Sequence, residues 1–594
     1  MSKRNTETFS SGRKSSSSET GDWVADFETT TDPEDCRVWA WGLTDIFAEE
    51  PFVEIDNSVD SFMDRCATMT ARIYFHNLEF DGKFILDWLL RHGYEHNPNP
   101  RHKLYPGEFR TVISAMGKFY SITVQWSRYR RTEFRDSLKK LPMTVARIAK
   151  AFNMEIMKGE IDYNAPRPVG HIITPEERAY LENDVLIVAA ALRQQLIAGM
   201  KKLTVGADSL YEYKKTFGTA FEKCFPILSD SMDAEIRRAY RGGWTYADPR
   251  YRGKIQYRPI RVYDVNSLYP SVMRHKLMPW GVPVWCDGEP EITQTHPLYI
   301  TTVTLTAKIK PNHLPCIQLK NNRFVNAEYV TEIPEPTTLT CTNIDLRLWM
   351  DHYDIEILAW EGSWRFKGLH GAFDAYIDKW MNVKMTTKGG LREIAKLHLN
   401  SLYGKFATNP DVTPKVPIMD DNVVKYVKGD EERRNPVYTP MGVFITSYAR
   451  EITIRAAQQN YETFAYADTD SLHLLTDRDP DNLNIDSVAL GAWKFEGEYS
   501  AGIYVRAKCY TEWRDKCNCG SDPHERGCGY DTHIAGMPAH LARHVEFEDF
   551  WDGHEFDGKL VPRAVPGGVV LTPTSWKLSD ESLPKRLAPT DDRV

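Results

Sequence analysis

The 594-residue sequence predicts a multidomain α/β protein. The chain exceeds one hydrophobic core, at roughly 100–200 residues per domain. Near its start, apolar strands alternate with a well-capped helix. Far downstream, an acidic turn lies between two short apolar strands, at Asp468-Thr469-Asp470. No apolar run approaches the ~18–20 residues that span a bilayer, so no membrane partner is expected.

Met1 to Gly21 is rich in Ser, carries Lys3, Arg4, Arg13 and Lys14, and lacks the apolar stretch of a signal peptide. It reads as a disordered, solubilising tail.

In Val24-Ala25-Asp26-Phe27-Glu28-Thr29-Thr30, Asp26 and Glu28 stand two apart, which on a strand places both carboxylates on one face. Tyr74 to Asp81 reads as a second extended run, ending at Asp81 and leading into a helix through Phe84, Ile85, Trp88 and Leu89. Thr174-Pro175-Glu176-Glu177 combines an N-cap, a first-turn Pro and a capping-box Glu. Tyr180 and Asp184 follow at i,i+4 on one face of that helix. Singly, each pattern is commonplace: an Asp-x-Glu pair is usually a surface pair, and Tyr-x-x-x-Asp ordinary amphipathicity. The ordered set Asp26, Glu28, Asp81 and Asp184 points to an α/β nuclease core holding two metals that activate water.

Tyr263 to Pro270 places Asp264 at a strand end and Tyr269 where the chain turns into a helix. A large ring there excludes a sugar 2′-hydroxyl by clash. Ala372 to Ala407 reads as two helices broken at Gly389-Gly390. On the second, Arg392, Lys396, Asn400 and Tyr403 form a cationic stripe, with Lys384 on the first facing the same way. The plain reading of such a stripe is an exposed basic face. Asn and Tyr among the charges, with Leu397, Leu399 and Leu402 beside them, favour a triphosphate site.

In Phe464 to Leu474 the apolar residues alternate on both sides of the acidic turn, so a hairpin offers Asp468 and Asp470 at its tip. Two like charges there are costly unless cations neutralise them, and two divalent metals clamp the oxygens of a phosphoryl transfer.

The net charge of −8 is not that of a basic nucleic-acid protein. Arg128-Tyr129-Arg130-Arg131 and Lys139-Lys140 are local basic runs, read either as channel walls or as solvated faces. The ten cysteines are mostly scattered and suit a reducing compartment. Cys517, Cys519, His524 and Cys528 cluster in a Gly-rich loop, but their spacing is not a usual zinc pattern, and a reduced, metal-free loop is the preferred reading over a zinc site.

Together these motifs resemble those of family B DNA polymerases. DVNSLYPSVM, KLHLNSLYGKF, YADTDS and Lys508-Cys509-Tyr510 resemble the four polymerase motifs, and DFET, HNLEFD and YLEND the three exonuclease motifs, all in the right order. The protein-primed, phi-29 type branch is the nearer match: Tyr240-Arg241-Gly242-Gly243 resembles its linker, and Asn409 to Gly442 its second terminal-protein-region insertion.

The resemblance implies a fold. An RNase H-like 3′–5′ exonuclease domain would occupy 22–204, and a right-hand polymerase would have its palm at 205–275 and 439–534, fingers at 373–407, and thumb with C-terminal tail at 535–594. Terminal-protein-region insertions would occupy 276–372 and 408–438.

It also implies residue roles. Asp264 and Asp470 would be the main polymerase metal ligands, with the Val265 carbonyl contributing and Asp468 supporting. Tyr269 would be the sugar gate, Lys384 and Lys396 triphosphate contacts, Arg392 a helper, and Tyr403, beside Asn400, part of the nascent base-pair pocket. Thr446 and Arg450 would contact template and primer, Lys508 and Tyr510 the primer terminus, and Tyr240, Gly242 and Gly243 the DNA. In the exonuclease, Asp26, Glu28, Asp81 and Asp184 would hold metals, Tyr180 would orient water, and Lys158 would be an additional catalytic lysine. Thr29, His76, Asn77, Phe80, Ser137 and Leu138 would grip the frayed 3′ end, with Phe80 as stacking surface.

The implied activity is protein-primed, processive, strand-displacing DNA synthesis with proofreading in the cytoplasm of a bacterial host. The implied cofactors are two Mg2+ or Mn2+ ions per site. The implied partners are primer–template DNA, dNTPs and a separate terminal protein. The alternatives are a DNA-primed relative and a catalytically silent nucleic-acid-binding protein. The cysteine-rich loop after Lys508, the C-terminal tail and the Ser-rich N-terminus depart from the family pattern.

Overall fold

The computed structural model describes residues 21–319, 329–515 and 525–585. The expected N-terminal tail lies outside them, as do Cys517, Cys519 and His524. Cys528 lies inside and is disulfide-bonded, so it is neither the reduced thiol nor the zinc ligand that the sequence offered. Cys36, Cys66, Cys224, Cys286, Cys316, Cys341 and Cys509 are free thiols.

The chain divides into two units. The first comprises the described residues up to Gly199, together with Thr413–Glu431 and Ala564–Val570. Its strands are β1 (Gly21–Thr29), β2 (Val38–Asp45), β3 (Glu54–Asp56), β4 (Ala71–Phe75), β5 (Glu95–His96), β6 (Glu108–Ile113), β7 (Phe119–Gln125) and β8 (Arg131–Asp136). They form one sheet in the order β3-β2-β1-β4-β8-β7-β6-β5. The central trio β1, β4 and β8 is parallel, β2 and β7 run antiparallel to their neighbours, and β6 is antiparallel to β7 but parallel to β5.

Helices α1 (Val59–Ala67) and α2 (Leu78–Arg91) bury Phe62 and Ile85 with Phe75 and Phe134 of the sheet. Helices α3 (Val145–Ala151) and α4 (Pro175–Ile197) bury Ile148, Leu181 and Val185 with Val24 and Tyr74. Covering both faces is what parallel strands require. It also brings the carboxyl ends of β1, β4 and β8 together, where open α/β sheets place their sites.

The N-terminus of α4 is built as its sequence predicts. The Glu177 amide donates to Thr174 Oγ1 (3.2 Å), and the Thr174 amide to Glu177 Oε2 (3.0 Å). The run toward Asp81 is not built that way. The strand ends at Phe75, and α2 already begins at Leu78. Asn77 turns the chain at φ 81°, and its amide donates to Asp136 Oδ1 (3.2 Å). Asp81 therefore sits in the first turn of a helix and not at a strand end.

Two later segments complete this unit. Strands Lys415–Asp420 and Val423–Lys428 pair as a hairpin whose Val424 enters the α2-side core. Arg91 Nη2 donates to the Asn422 carbonyl (2.8 Å). The tip at Gly567-Gly568 also packs here: the Gly567 amide lies 3.3 Å from Asp87 Oδ1, and a Cβ on Gly567 would stand 2.3 Å from the Cys36 carbonyl oxygen. Thr413–Glu431, which lies within the expected insertion at 408–438, clusters with the first unit.

The second unit holds a five-stranded sheet in the order Trp493–Tyr499, Ile260–Val265, Ser471–Leu474, Phe464–Asp468, Thr245–Ala247. The helix Thr439–Gln459 shares its core: Val443, Phe444, Ile445 and Ile454 are fully buried there with Phe464 and Leu472. Helices Asp374–Thr386 and Gly390–Ser401 are separated at Gly389, which takes φ 59°, as the Gly-Gly break predicts. Strands Met278–Cys286, Tyr353–Leu369, Leu298–Ile309 and Glu332–Thr342 form a separate four-stranded antiparallel sheet.

Candidate active sites

The first unit gathers Asp26 and Glu28 from β1, Asp81 from α2 and Asp184 from α4. Burial, then the Asp184 charge, pushes the Asp26 carboxyl up to about 7. Burial and Asp26 raise Glu28 and Asp81 well above the carboxylate range. Burial raises Asp184 as well, against the lowering influence of Lys158. Lys158 Nζ donates to Tyr180 Oη (3.0 Å) and, in a short contact, to Asp184 Oδ2. Tyr163 Oη lies 2.7 Å from Tyr180 Oη, a partner that sequence reasoning missed.

Around this cluster, His76 Nε2 donates to the Met143 carbonyl (2.8 Å), and its Nδ1 lies 3.0 Å from Ser137 Oγ. Burial holds the ring below its ordinary value and thus neutral. Asp136, also missed, accepts from the amides of Asn77 and Leu138 (2.9 Å) and so ties the ends of β4 and β8 together. Phe80 is half-buried against Phe84, with ring centroids 5.8 Å apart. Thr29 ends β1, within the same region.

The second unit brings Asp264, Asp468 and Asp470 to one end of its sheet. Ser471 pairs with Asp264 on one side and Asp468 on the other. Thr469 takes φ 62°, its amide donates to the Trp244 carbonyl (2.8 Å), and Thr453 Oγ1 donates to its carbonyl (2.7 Å). Gly243 fits this turn tightly, since a Cβ there would stand 2.6 Å from Thr469 Cγ2. Burial and the Asp470 charge push Asp264 up to about 7, and burial pushes Asp470 up to about 6. Lys508 Nζ is 2.7 Å from both oxygens of Asp468, and Thr245 Oγ1 donates to Asp468 Oδ1 (3.0 Å).

A cleft of about 710 Å³ opens over these acids and reaches Tyr269, Asn400, Tyr403, Lys508 and Tyr510. Tyr269 and Tyr403 stack at 3.8 Å and 15°. Lys384 Nζ donates to Ser267 Oγ (3.0 Å), and burial, then Lys396 and Arg392, lowers its pKa, so the expected cations do converge. Lys396 pairs with Glu393 at 2.6 Å, and Arg392 is exposed. Tyr510 stacks on His533, which sequence reasoning missed. Half-buried Tyr240 leads into the Gly242-Gly243 loop.

Thr446 and Arg450 lie on the helix Thr439–Gln459. Both are buried. Thr446 Oγ1 donates to the Gly442 and Val443 carbonyls (both 3.1 Å). Arg450 pairs with buried Asp345 (2.8 Å) and donates to the carbonyls of Arg241 (2.7 Å) and Gly242 (2.8 Å). Through these bonds Arg450 props the loop carrying Gly242.

Both clusters have the chemistry of divalent-cation sites: oxygen donors, burial and mutual repulsion that a cation relieves. Asp184 Oδ1 is buried without a hydrogen-bond partner, a carboxylate oxygen suited to a metal. Among the described residues, no three carboxylates or imidazoles close into a preformed cage. A lysine ammonium sits on one acid of each set, Lys158 on Asp184 and Lys508 on Asp468. Among the described residues no helix is long and apolar enough to cross a membrane.

The chain matches the family model described as DNA polymerase type B, organellar and viral, over residues 64–172 and 166–487. It is 41% identical to the DNA polymerase of Bacillus phage phi29, over 94% of this chain and 98% of that one. It is 32% identical to the DNA polymerase of Streptococcus phage Cp-1, over 94% and 98%. Among solved structures, phi29 DNA polymerase complexed with primer-template DNA and incoming nucleotides superposes at TM-score 0.87 and 40% identity, over 94% of this chain and all of that one. The chain belongs to the type B DNA polymerases of organelles and viruses, multidomain α/β enzymes that carry out DNA-directed DNA synthesis with divalent metal ions.

Proposed function

We propose that this polymerase replicates a linear viral genome by protein-primed, processive, strand-displacing synthesis and proofreads with a 3′–5′ exonuclease. The observation that carries the two-activity reading is the pair of separate buried acid clusters, one in each unit. Base selection by shape offers limited discrimination, of about 10²–10³, and a second hydrolytic site is the general remedy.

In this reading the first unit is an RNase H-like exonuclease, and the second holds palm, fingers and thumb with the insertion at 276–372. The hairpin Lys415–Lys428 belongs to the insertion at 408–438. Asp264, Asp470 and the Val265 carbonyl would hold two Mg2+ or Mn2+ ions at the synthetic site, and Asp26, Glu28, Asp81 and Asp184 two at the hydrolytic site. Bound there, such ions supply a lowered pKa for the attacking oxygen and charge neutralisation for the leaving one.

The protein's own groups do the rest. Tyr269 and Tyr403 present a stacked aromatic wall to the sugar and base, and Lys384, Lys396 and Arg392 neutralise the triphosphate. Lys508 steadies the primer end from its seat on Asp468, and Tyr510 lies beside it. In the hydrolytic site Tyr180 holds water, oriented by Lys158 and Tyr163. Thr29, His76, Asn77, Phe80, Ser137 and Leu138 grip the frayed strand. Such an enzyme works in the cytoplasm of the infected bacterium.

Protein priming rests on the likeness to phage polymerases across 94% of the chain. It is tested by incubating the enzyme and labelled dATP with the candidate terminal protein. A covalent nucleotide–protein adduct is expected. Extension of DNA primers with no such adduct makes the enzyme a DNA-primed relative.

A further inference from the structure

A second cationic feature lies in the first unit, away from its acids. Thr70, Ala71, Arg72, Arg131, Glu133 and Arg135 line a hollow of about 390 Å³. Thr70 to Arg72 open β4 and Arg131 opens β8, whereas His76 and Asp136 stand at the other ends of those strands. The hollow starts at the amino-terminal ends of β4 and β8 and follows the alternate residues Arg131, Glu133 and Arg135 along one face of the sheet.

Its electrostatics are unlike those of the rest of the chain. Arg72 pairs with Asp22 (2.6 Å), and Arg135 with Glu133 (2.8 Å). Each still carries a buried Nε with no hydrogen-bond acceptor, and a buried unmet donor of this kind is costly. The turn from β7 into β8 adds Arg128, Arg130 and Arg131, all exposed and without an ion pair among the described residues. Five arginines thus face two carboxylates in a chain of net charge −8. Tyr129, 75% exposed, projects from this turn with the Arg128 guanidinium 5.4 Å from its ring. Thr70 Oγ1 donates to the Tyr129 carbonyl (3.1 Å) and so pins the turn to the rim of the hollow.

A strand face stabilised only by ion pairs would balance its charges. This one leaves guanidiniums in excess, in a concavity, beside an exposed ring. That is the chemistry of a phosphodiester backbone with bases free to stack.

We propose that the Arg72–Arg131–Arg135 hollow and Tyr129 form an accessory site for single-stranded DNA, distinct from the acid cluster of the same unit. Backbone phosphates sit among the arginines, and an unpaired base stacks on Tyr129. The site rests on this chain being a DNA polymerase, and not on how synthesis is primed.

The test is photo-crosslinking of the full-length enzyme to a single-stranded oligonucleotide carrying 5-iododeoxyuridine, with mapping of the linked peptide. A crosslink at Tyr129 is expected, displaced by unlabelled single strand and not by inorganic phosphate or dAMP. Replacing the exposed pair, Arg128→Ala with Arg131→Ala, should cut that crosslink about tenfold and make the salt dependence of single-strand binding shallower by about 1.4 log units per log unit of salt. Extension of a short primer–template should be unchanged, which shows the fold intact. Absence of the Tyr129 peptide, or an unaltered crosslink in the double variant, overturns the proposal. So does equal displacement by phosphate or dAMP, which would indicate a small-anion pocket instead.

Discussion

The backbone amide of Val265 donates to the carbonyl of Asp470 at 2.8 Å. This bond joins two motifs two hundred residues apart, so Asp264 and Asp470 are held beside each other by main chain and not by side-chain packing. Burial and the Asp470 charge then raise the proton affinity of the Asp264 carboxyl.

Substituting either cluster should separate the activities. Asp470→Asn is expected to lower nucleotide incorporation by at least about 10³-fold while leaving release of terminal nucleotides near normal. Asp26→Ala should do the reverse. Primer extension and single-strand degradation, run side by side on each variant, check this. Normal extension by Asp470→Asn would mean that the synthetic site is misassigned.

The raised carboxyls give a signed pH dependence. An acid whose folded value lies above its unfolded one binds more protons when folded, so its contribution to stability falls as pH rises through that window. For Asp264, raised to about 7, and Asp470, raised to about 6, the window runs from about 4 to 7. With a chelator present, Tm should drop from pH 5.5 to pH 8, and Asp264→Asn should flatten the slope. At pH 8, Mn2+ should restore Tm in the wild type and do so less in Asp264→Asn. Calorimetry with and without chelator measures both.

Tyr269 stacks on Tyr403 and borders the acid cleft. Tyr269→Val removes the ring that a ribose 2′-hydroxyl would meet. Relative use of ribonucleotides should rise at least about tenfold, with kcat for deoxynucleotides changed far less. Single-nucleotide insertion kinetics with both sugars settles it.

Arg450→Ala leaves Asp345 buried and unpaired, and should destabilise the second unit by about 3–5 kcal/mol. The double change Asp345→Leu with Arg450→Met should recover part of that loss, because hydrophobic replacement of a buried pair is often tolerated. Denaturant unfolding of both variants distinguishes this role from a direct DNA contact, which would weaken primer binding without changing the unfolding midpoint.

Local spacing made much of this legible. The Thr174 capping box, the Gly389 break and the Asp468 hairpin each depend on neighbours within a few residues, and each is built as read. Partnerships across the chain were not legible. Asp136 reads as an ordinary strand end until β4 and β8 lie side by side. The pairing of Arg450 with Asp345 was hidden because helical spacing does not reveal that Thr439–Gln459 is enclosed, nor that Asp345 waits in a distant helix. The docking of the Lys415–Lys428 hairpin on α2 was not legible either, because that helix lies hundreds of residues upstream.

The Gly567-Gly568 tip, seated against Cys36 and Asp87, bears on how the molecule is made. The ribosome emits the sheet early, yet the groove on its flank stays open until Gly567 and Gly568 have emerged hundreds of residues later. A protease nick shortly before that tip would strip the cover and expose Phe84 to solvent, so a fragment cut from the chain's first third would lack a piece of its own core.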